Sequence, residues 1–251
     1  MKSFCNRLGL IAGFLSIISV IAGCQSPQSV PSAAAGVSAP IAVGHPTTKA
    51  SQTAMTPAQA FAELQAGNAR FVSAHPRLRH PLEDVKTTAS GQYPFAVTLS
   101  CIDSRQPIES VLDQGIGDIF SVRVAGNILN DDVLGSMEFA CKVSGAKLIA
   151  VIGHSNCGAI KGAINNVELG NLTGLLARIK PVIDQVPSDG QPRNSKNHAF
   201  VDQVAETNVR LVMREIREHS PVLREMLDQG QIQLVGGMYD LDTGVIHFYD
   251  Q

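Results

Sequence analysis

The sequence predicts an α/β fold in which a mostly parallel central sheet is flanked by helices. Five short segments are almost continuously apolar, which is typical of strands buried on both faces of a sheet. Helical patterns separate most of these segments, as expected when crossover helices join parallel strands. With 44% hydrophobic and 17% charged residues among 251, the chain can bury a sizeable core.

Local signals define the elements in chain order. A helix is predicted to begin at Pro57, because Thr56 is a good N-cap and proline is favoured at the first helical position. The predicted strands cover residues 94–100, 118–125, 147–153, 231–237 and 245–250. The predicted helices between them cover residues 131–145, 172–186 and 198–220. Together these elements predict one globular domain over residues 55–251.

The first 23 residues have the layout of a secretory signal peptide. Lys2 and Arg7 precede an uncharged apolar run over residues 8–22, which is short for a membrane span. The sequence "IAGC" that ends at Cys24 resembles the lipobox of bacterial lipoproteins. This resemblance implies that Cys24 is lipidated and that the chain is exported and anchored to a cell-envelope membrane, on its periplasmic or extracytoplasmic face. A plain signal peptide or an uncleaved anchor is the alternative.

The segment after Cys24 differs in composition from the rest of the chain. Residues 25–54 are rich in Pro, Ser, Ala and Gly, and no acidic residue occurs before Glu63. Such a composition predicts a flexible tether over residues 24–54, with an r.m.s. span of roughly 30 Å. The formal net charge of the chain is −2 and no basic block is present, so no nucleic-acid partner is expected.

The cysteines separate into different roles. Cys5 belongs to the predicted signal peptide, and Cys141 lies in an amphipathic helical pattern where a buried thiol is expected. An exported chain could oxidise a pair of its cysteines. Cys101 and Cys157, however, each accompany the end of a predicted strand, which favours a different use.

A metal site is predicted at one edge of the sheet. Cys101 follows the strand 94–100, and His154 follows the strand 147–153. The carboxyl ends of parallel strands lie at the same edge, and neighbouring strands are about 4.8 Å apart. Cys157, three residues after His154, completes a set of two thiolates and one imidazole. This set suits zinc and leaves a fourth position free, so one Zn²⁺ per chain is expected.

Asp103 and Arg105 stand directly after the first cysteine of this set, in "CIDSR". An aspartate beside the metal could orient a water molecule or bind the metal itself, and an arginine would hold it ionised. A surface ion pair of little energetic value is the simpler alternative.

A cysteine nucleophile is the main rival to a metal site. The phosphate loop of cysteine phosphatases needs five residues between Cys and Arg, whereas three separate Cys101 from Arg105. A thiol-protease pair of His154 and Cys157 would lie on one tight turn, from which the sulfur cannot easily reach a substrate.

Residues 57–249 resemble a β-class carbonic anhydrase. The resemblance is carried by "CIDSR" and "HSNCG", by "DIFSVRVAGN" and "SMEFA" between them, and by "LQAGNARF" in the first helix. It implies that Cys101, His154 and Cys157 bind zinc and that Asp103 and Arg105 form a catalytic dyad. The implied reaction is the reversible hydration of CO₂ to bicarbonate and a proton. The implied assembly is a homodimer, or a larger assembly of dimers, with the sites near the dimer interface.

The resemblance also implies the residues that bind substrate. Gln92 matches a glutamine that hydrogen-bonds substrate, Phe120 an apolar wall of the pocket, and Gly158 a glycine whose N–H faces the site. Phe139 stands where some members have Tyr, so no phenol is available there. Gln92, together with Thr98 in place of a Trp, resembles the open subclass, in which Asp103 does not bind the zinc.

Two other functions fit the same residues. Relatives hydrolyse carbonyl sulfide or carbon disulfide at such a zinc site, and the width of the pocket decides between these substrates and CO₂. The alternative that is not an enzyme is a lipid-anchored zinc-binding protein, in which Asp103 closes the site.

Overall fold

A five-stranded sheet forms the centre of the molecule in a computed structural model that describes residues 42–249. The strands are β1 (Ala96–Ser100), β2 (Ile119–Arg123), β3 (Leu148–His154), β4 (Gln233–Tyr239) and β5 (Ile246–Tyr249). Their order is β2-β1-β3-β4-β5, and only β5, which runs antiparallel to β4, departs from the parallel direction. The predicted mostly parallel sheet is confirmed.

Helices cover both faces of this sheet. They are α1 (Lys49–Ala54), α2 (Pro57–Val72), α3 (Pro81–Thr88), α4 (Ile108–Val111), α5 (Asp131–Glu138), α6 (Gly158–Ile164), α7 (Gly170–Ala177), α8 (Lys180–Gln185), α9 (His198–His219) and α10 (Pro221–Asp228). Apolar residues of α9 pack on the face that carries Val97 and Leu99, and those of α2 and α4 pack on the face that carries Ala96 and Ala150. Burial on both faces explains why β1 and β3 are apolar along their whole length.

Two predicted helices differ in detail from the structure. The segment 172–186 is divided into α7 and α8, because Pro181 lies in the first turn of α8 and has no N–H with which to continue an earlier helix. The segment 131–145 begins as α5 and continues as a five-residue π-helical turn, Phe139–Val143. Cys141 lies buried in this turn, as expected, and burial raises the pKa of its thiol to about 12.

The flexible tether predicted up to residue 54 is wrong for its last part, because α1 is docked on the domain. The side chain of Thr48 caps α1. The buried side chain of Gln52 donates hydrogen bonds to the carbonyl oxygens of Pro94 (2.7 Å) and Ser144 (2.8 Å). Composition did not reveal this contact, since it depends on one amide side chain rather than on apolar surface.

The chain before α1 is attached in the same way. Thr47 donates from its backbone N and its Oγ1 to Asp118 Oδ1, at 2.8 and 2.9 Å. Val43 forms an isolated parallel bridge with Leu78. The predicted signal peptide, Cys24 and the tether up to residue 41 lie outside the described residues. Within residues 42–249, no helix is both long enough and apolar enough to cross a membrane.

Candidate metal centre and active site

The structure brings Cys101, His154 and Cys157 together at the carboxyl edge of the sheet. Ser100 pairs with Ile152 between the parallel neighbours β1 and β3, so the residues that follow them leave the sheet at the same edge. A turn after His154 returns the chain, and Cys157 becomes the N-cap of α6. The ligand atoms of the three residues lie within 4.8 Å of one another, and the three side chains are 4%, 0% and 1% exposed.

One nitrogen atom of this cluster has no hydrogen-bond partner among the described residues. His154 Nδ1 lies 2.9 Å from the backbone oxygen of Ser155, which can only accept, so Nδ1 donates. His154 Nε2 is then left with a free lone pair, and it is buried without a hydrogen-bond partner among the described residues. Leaving such an atom unsatisfied costs about 1–3 kcal/mol. A zinc ion accepts this lone pair, and the two sulfur atoms beside it complete a donor set suited to zinc.

The two thiols of the cluster shift each other's pKa in opposite directions. A hydrogen bond from the Cys157 thiol lowers the pKa of Cys101, whereas the hydrogen bond to Cys101 and burial raise the pKa of Cys157. The backbone N–H of Gly126 also donates to Cys101 Sγ, at 3.3 Å. A dication held by these residues would replace the remaining thiol proton, and both sulfurs would then be thiolates.

Asp103 and Arg105 form an ion pair directly beside this cluster. Arg105 donates to Asp103 from its backbone N (3.0 Å), from Nε (2.9 Å) and from Nη2 (2.8 Å). These hydrogen bonds hold the pKa of Asp103 well below its usual range. Asp103 Oδ2 lies 3.8 Å from His154 Nε2, so the carboxylate is held at the edge of the metal position. Its side chain is 15% exposed, against 54% for Arg105.

Sequence reasoning missed Arg123, which holds the first ligand loop in place. The side chain of Arg123 donates from Nε to the backbone oxygen of Cys101 (3.1 Å) and from Nη2 to that of Asp103 (2.7 Å). It can do so because Arg123 pairs with Ser100 in the sheet. The sequence predicted the strand 118–125, but it indicated neither the pairing of this strand with the strand 94–100 nor the register between them.

The implied substrate residues do not all reach the metal cluster of their own chain. Gly158 does, because it follows Cys157, and a Cβ atom there would meet nothing within 4 Å. Phe120 pairs with Val97, four residues before Cys101, and is therefore about 13 Å away along the strands. Gln92 lies further back, before the amino end of β1, and is exposed.

Known proteins match this chain over the region that carries the site. A family model described as carbonic anhydrase matches residues 96–246. Carbonic anhydrase 2 of Mycobacterium tuberculosis is 35% identical over 191 residues, which cover 75% of this chain and 90% of that protein. A carbonic anhydrase of Mycolicibacterium smegmatis is 32% identical, with 75% and 91% covered.

Solved structures of β-carbonic anhydrases have a similar fold. The enzyme CafA of Aspergillus fumigatus is 26% identical and superposes with a TM-score of 0.61, over 77% of this chain and 90% of its own. One of two tetrameric β-carbonic anhydrases of Sordaria macrospora is 25% identical and superposes with a TM-score of 0.57. The match covers 65% of this chain and 84% of that protein.

The sheet and its Cys-His-Cys centre therefore define a β-class zinc enzyme. The chain belongs to the carbonic anhydrase family. It catalyses the reversible hydration of CO₂ to bicarbonate and a proton, with zinc as its cofactor.

Proposed function

We propose that Cys101, His154 and Cys157 hold the catalytic zinc ion and that Asp103 orients the oxygen that attacks CO₂. The observation that carries this assignment is the buried His154 Nε2, which has no protein partner among the described residues. The ligand atom of the His154 ring lies within 4.8 Å of both sulfur atoms. When bound, zinc lowers the pKa of a water molecule from about 15.7 towards 7 and so supplies a nucleophile at neutral pH.

Asp103 acts as a fixed hydrogen-bond acceptor in this proposal. Arg105 keeps its carboxylate ionised at neutral pH, and an ionised carboxylate can only accept. An O–H of the attacking species that donates to Asp103 has its lone pair fixed in direction, which aligns it with the carbon of CO₂. Because Arg105 binds both carboxylate oxygens, we expect Asp103 to remain outside the zinc coordination sphere near pH 7, as in the open subclass.

Stopped-flow measurement of CO₂ hydration tests this function directly. The purified protein should hydrate CO₂, lose this activity on treatment with a strong chelator and regain it when one equivalent of zinc is added. Activity that persists after the zinc has been removed and the removal verified would contradict the assignment.

We propose that the substrate-binding residues of one subunit contribute to the active site of the other subunit in a dimer. Gln92 and Phe120 lie away from the cluster of their own chain, and Phe120 is on the edge strand β2. Its ring packs edge-to-face on that of Phe139, 6.2 Å between centroids, and Phe139 is 50% exposed. A second copy of the chain that covers this apolar surface would place Gln92 and Phe120 of one subunit near the zinc of the other. A homodimer, or an assembly of dimers, has the two-fold symmetry that this arrangement needs.

The enzyme is proposed to act outside the cytoplasm, anchored through a lipid on Cys24. The signal-like segment 1–23 and the sequence "IAGC" support this location. Bacterial lipoprotein processing adds more than one acyl chain, which gives stable anchoring. Cell fractionation tests the proposal: Cys24→Ser should release the activity from the membrane fraction or block maturation. A wild-type protein found in the soluble cytoplasmic fraction with residues 1–23 intact would contradict it.

A further inference from the structure

Helix α9 touches both turns that carry the metal ligands. Gly153, next to His154, is so close to α9 that a Cβ atom on it would lie 2.8 Å from Val209 Cγ2 and 3.7 Å from the backbone oxygen of Ala205. Two polar side chains of the same helix, Asp202 and Asn208, make hydrogen bonds to these turns. None of the motifs that identify the site includes either residue.

Asn208 holds the turn that hydrogen-bonds the first zinc ligand. Its side chain is 2% exposed, and its Nδ2 donates to the backbone oxygen of Gly126 at 2.9 Å. Gly126 in turn donates its N–H to Cys101 Sγ at 3.3 Å. A single residue, Gly126, therefore links the middle of α9 to the sulfur of Cys101.

The Gly126 turn has a backbone conformation that requires glycine. Gly126 has a φ of 67°, in the left-handed region that favours glycine. A Cβ atom there would lie 2.8 Å from Ile179 Cδ1, so the backbone is packed closely from that side. The Asn208 amide holds the carbonyl group of the same residue whose N–H donates to the sulfur.

Asp202 does the same for the second turn. Its Oδ1 accepts a hydrogen bond from the backbone N of Asn156 at 2.7 Å. Asn156 lies between His154 and Cys157 and has a φ of 56°, which is uncommon for a residue with a side chain. The carboxylate therefore stabilises the conformation that brings Cys157 back to His154.

We propose that α9 sets the geometry and donor strength of the zinc ligands through two positioning residues, Asn208 and Asp202. The proposal rests on Cys101, His154 and Cys157 being those ligands. An N–H···S hydrogen bond withdraws charge from a thiolate and weakens its donation to the metal, and fixed turns keep the three donor atoms at their required separation. Outer-shell groups of this kind are worth about 10–100-fold in metal affinity.

Zinc release and a cobalt spectrum test this proposal independently of activity. Asn208→Leu removes the donor at similar volume, so the Gly126 turn that faces Cys101 is no longer held in place. Competition with a chromogenic chelator should therefore show zinc binding weakened by roughly 10–100-fold, since the loss of ligand geometry exceeds any gain from stronger thiolate donation. After substitution of Co²⁺ for zinc, the thiolate-to-cobalt charge-transfer band should move to lower energy, because the sulfur of Cys101 has lost a well-aligned donor. Asp202→Ala should weaken zinc binding as well, and Asp202→Asn, which keeps an acceptor oxygen, should restore it.

Asn68 provides a matched control for the loss of a buried amide. It is 5% exposed and makes three hydrogen bonds with backbone groups, those of Val111, Gly244 and Ile246. Asn68→Leu should lower thermal stability without moving the cobalt band or the zinc affinity. If Asn208→Leu does not fold, Asn208→Ser is measured in the same way.

Two results would overturn the proposal, and they can be told apart. A folded Asn208 variant with the wild-type cobalt band and zinc affinity, or a control that moves both to the same extent, would contradict the role of α9 alone. A wild-type protein without any thiolate-to-cobalt band would contradict the ligand assignment, and the proposal with it.

Discussion

The metal centre and the proposed substrate wall of this enzyme are built in opposite ways. Cys101, His154 and Cys157 are buried within one chain, between strands and helices that fix them from several sides. Gln92 and Phe120, by contrast, lie towards the amino ends of the strands or on the edge strand, and neither is buried. Zinc binding is therefore expected to be a property of the single chain, and efficient CO₂ hydration a property of the assembly.

Loss of a ligand should have the largest effect. Cys157→Ser removes one of three donors, so zinc should fall from about one per chain to near zero, and activity should fall with it. Metal analysis of the purified protein measures this. Cys141→Ser is the matched control, because Cys141 is an equally buried thiol outside the cluster, and it should keep its zinc. Stoichiometric zinc in Cys157→Ser would contradict the ligand assignment.

Removal of the acceptor charge should have the next largest effect and should separate binding from chemistry. Asp103→Asn keeps the shape of the side chain, but its amide can be turned to donate rather than accept. Zinc should stay bound while kcat falls by about 10²-fold or more. Stopped-flow kinetics and metal analysis on the same sample test this. Wild-type turnover in a zinc-replete Asp103→Asn protein would show that the pair with Arg105 is only structural.

A charge at the proposed interface should lower activity while leaving zinc in place. Phe139→Glu replaces the half-exposed ring that contacts Phe120 with a carboxylate. Dimers should then dissociate, and light scattering should show monomers. Turnover per zinc should fall by about tenfold or more, since substrate-positioning groups of the second subunit are lost. Leu169→Glu, at another exposed apolar residue, should stay dimeric. A monomeric Phe139→Glu protein with full turnover would show that one chain is sufficient.

A change far from both regions should have the smallest effect on catalysis. Gln52→Ala removes both hydrogen bonds that attach α1 to the domain, and its carbonyl partners lose a donor. The free energy of unfolding should fall by about 1–3 kcal/mol. Thermal denaturation should register this, while turnover per zinc should not change. Gln203→Ala, at an exposed glutamine, should leave both unchanged, and equal stability of the two variants would remove the role assigned to α1.

The sequence predicted the parts of this enzyme that follow from strand order, and missed those that depend on register or on distant side chains. Cys101 and His154 were predicted to meet because parallel strands share a carboxyl edge. The contact of Arg123 with the Cys101 loop requires the pairing of Arg123 with Ser100, which periodicity does not supply. Asn208 lies 82 residues from Gly126, and nothing local in the helix marks it.

The N-terminal boundary shows the same limit of local patterns. Residues 42–54 have the composition of a linker, and the prediction treated them as one. Their attachment depends on Gln52 and Thr47, two polar residues whose partners lie 42 and 71 residues away. Composition describes the apolar surface that a segment can bury, and it does not describe hydrogen bonds made to a preformed domain.

Subunit mixing tests most directly whether the metal centre and the substrate wall belong to different chains. Cys157→Ser lacks a zinc site but keeps Gln92, and Gln92→Ala keeps the zinc site, so each protein alone should be inactive or weak. When equal amounts of the two proteins are dissociated and reassembled together, half of the dimers contain one chain of each. Each of these mixed dimers has one complete site. We expect about a quarter of the wild-type activity per chain. Activity that stays at the average of the two parent proteins would contradict the account, because it would show that Gln92 does not serve the zinc of its partner.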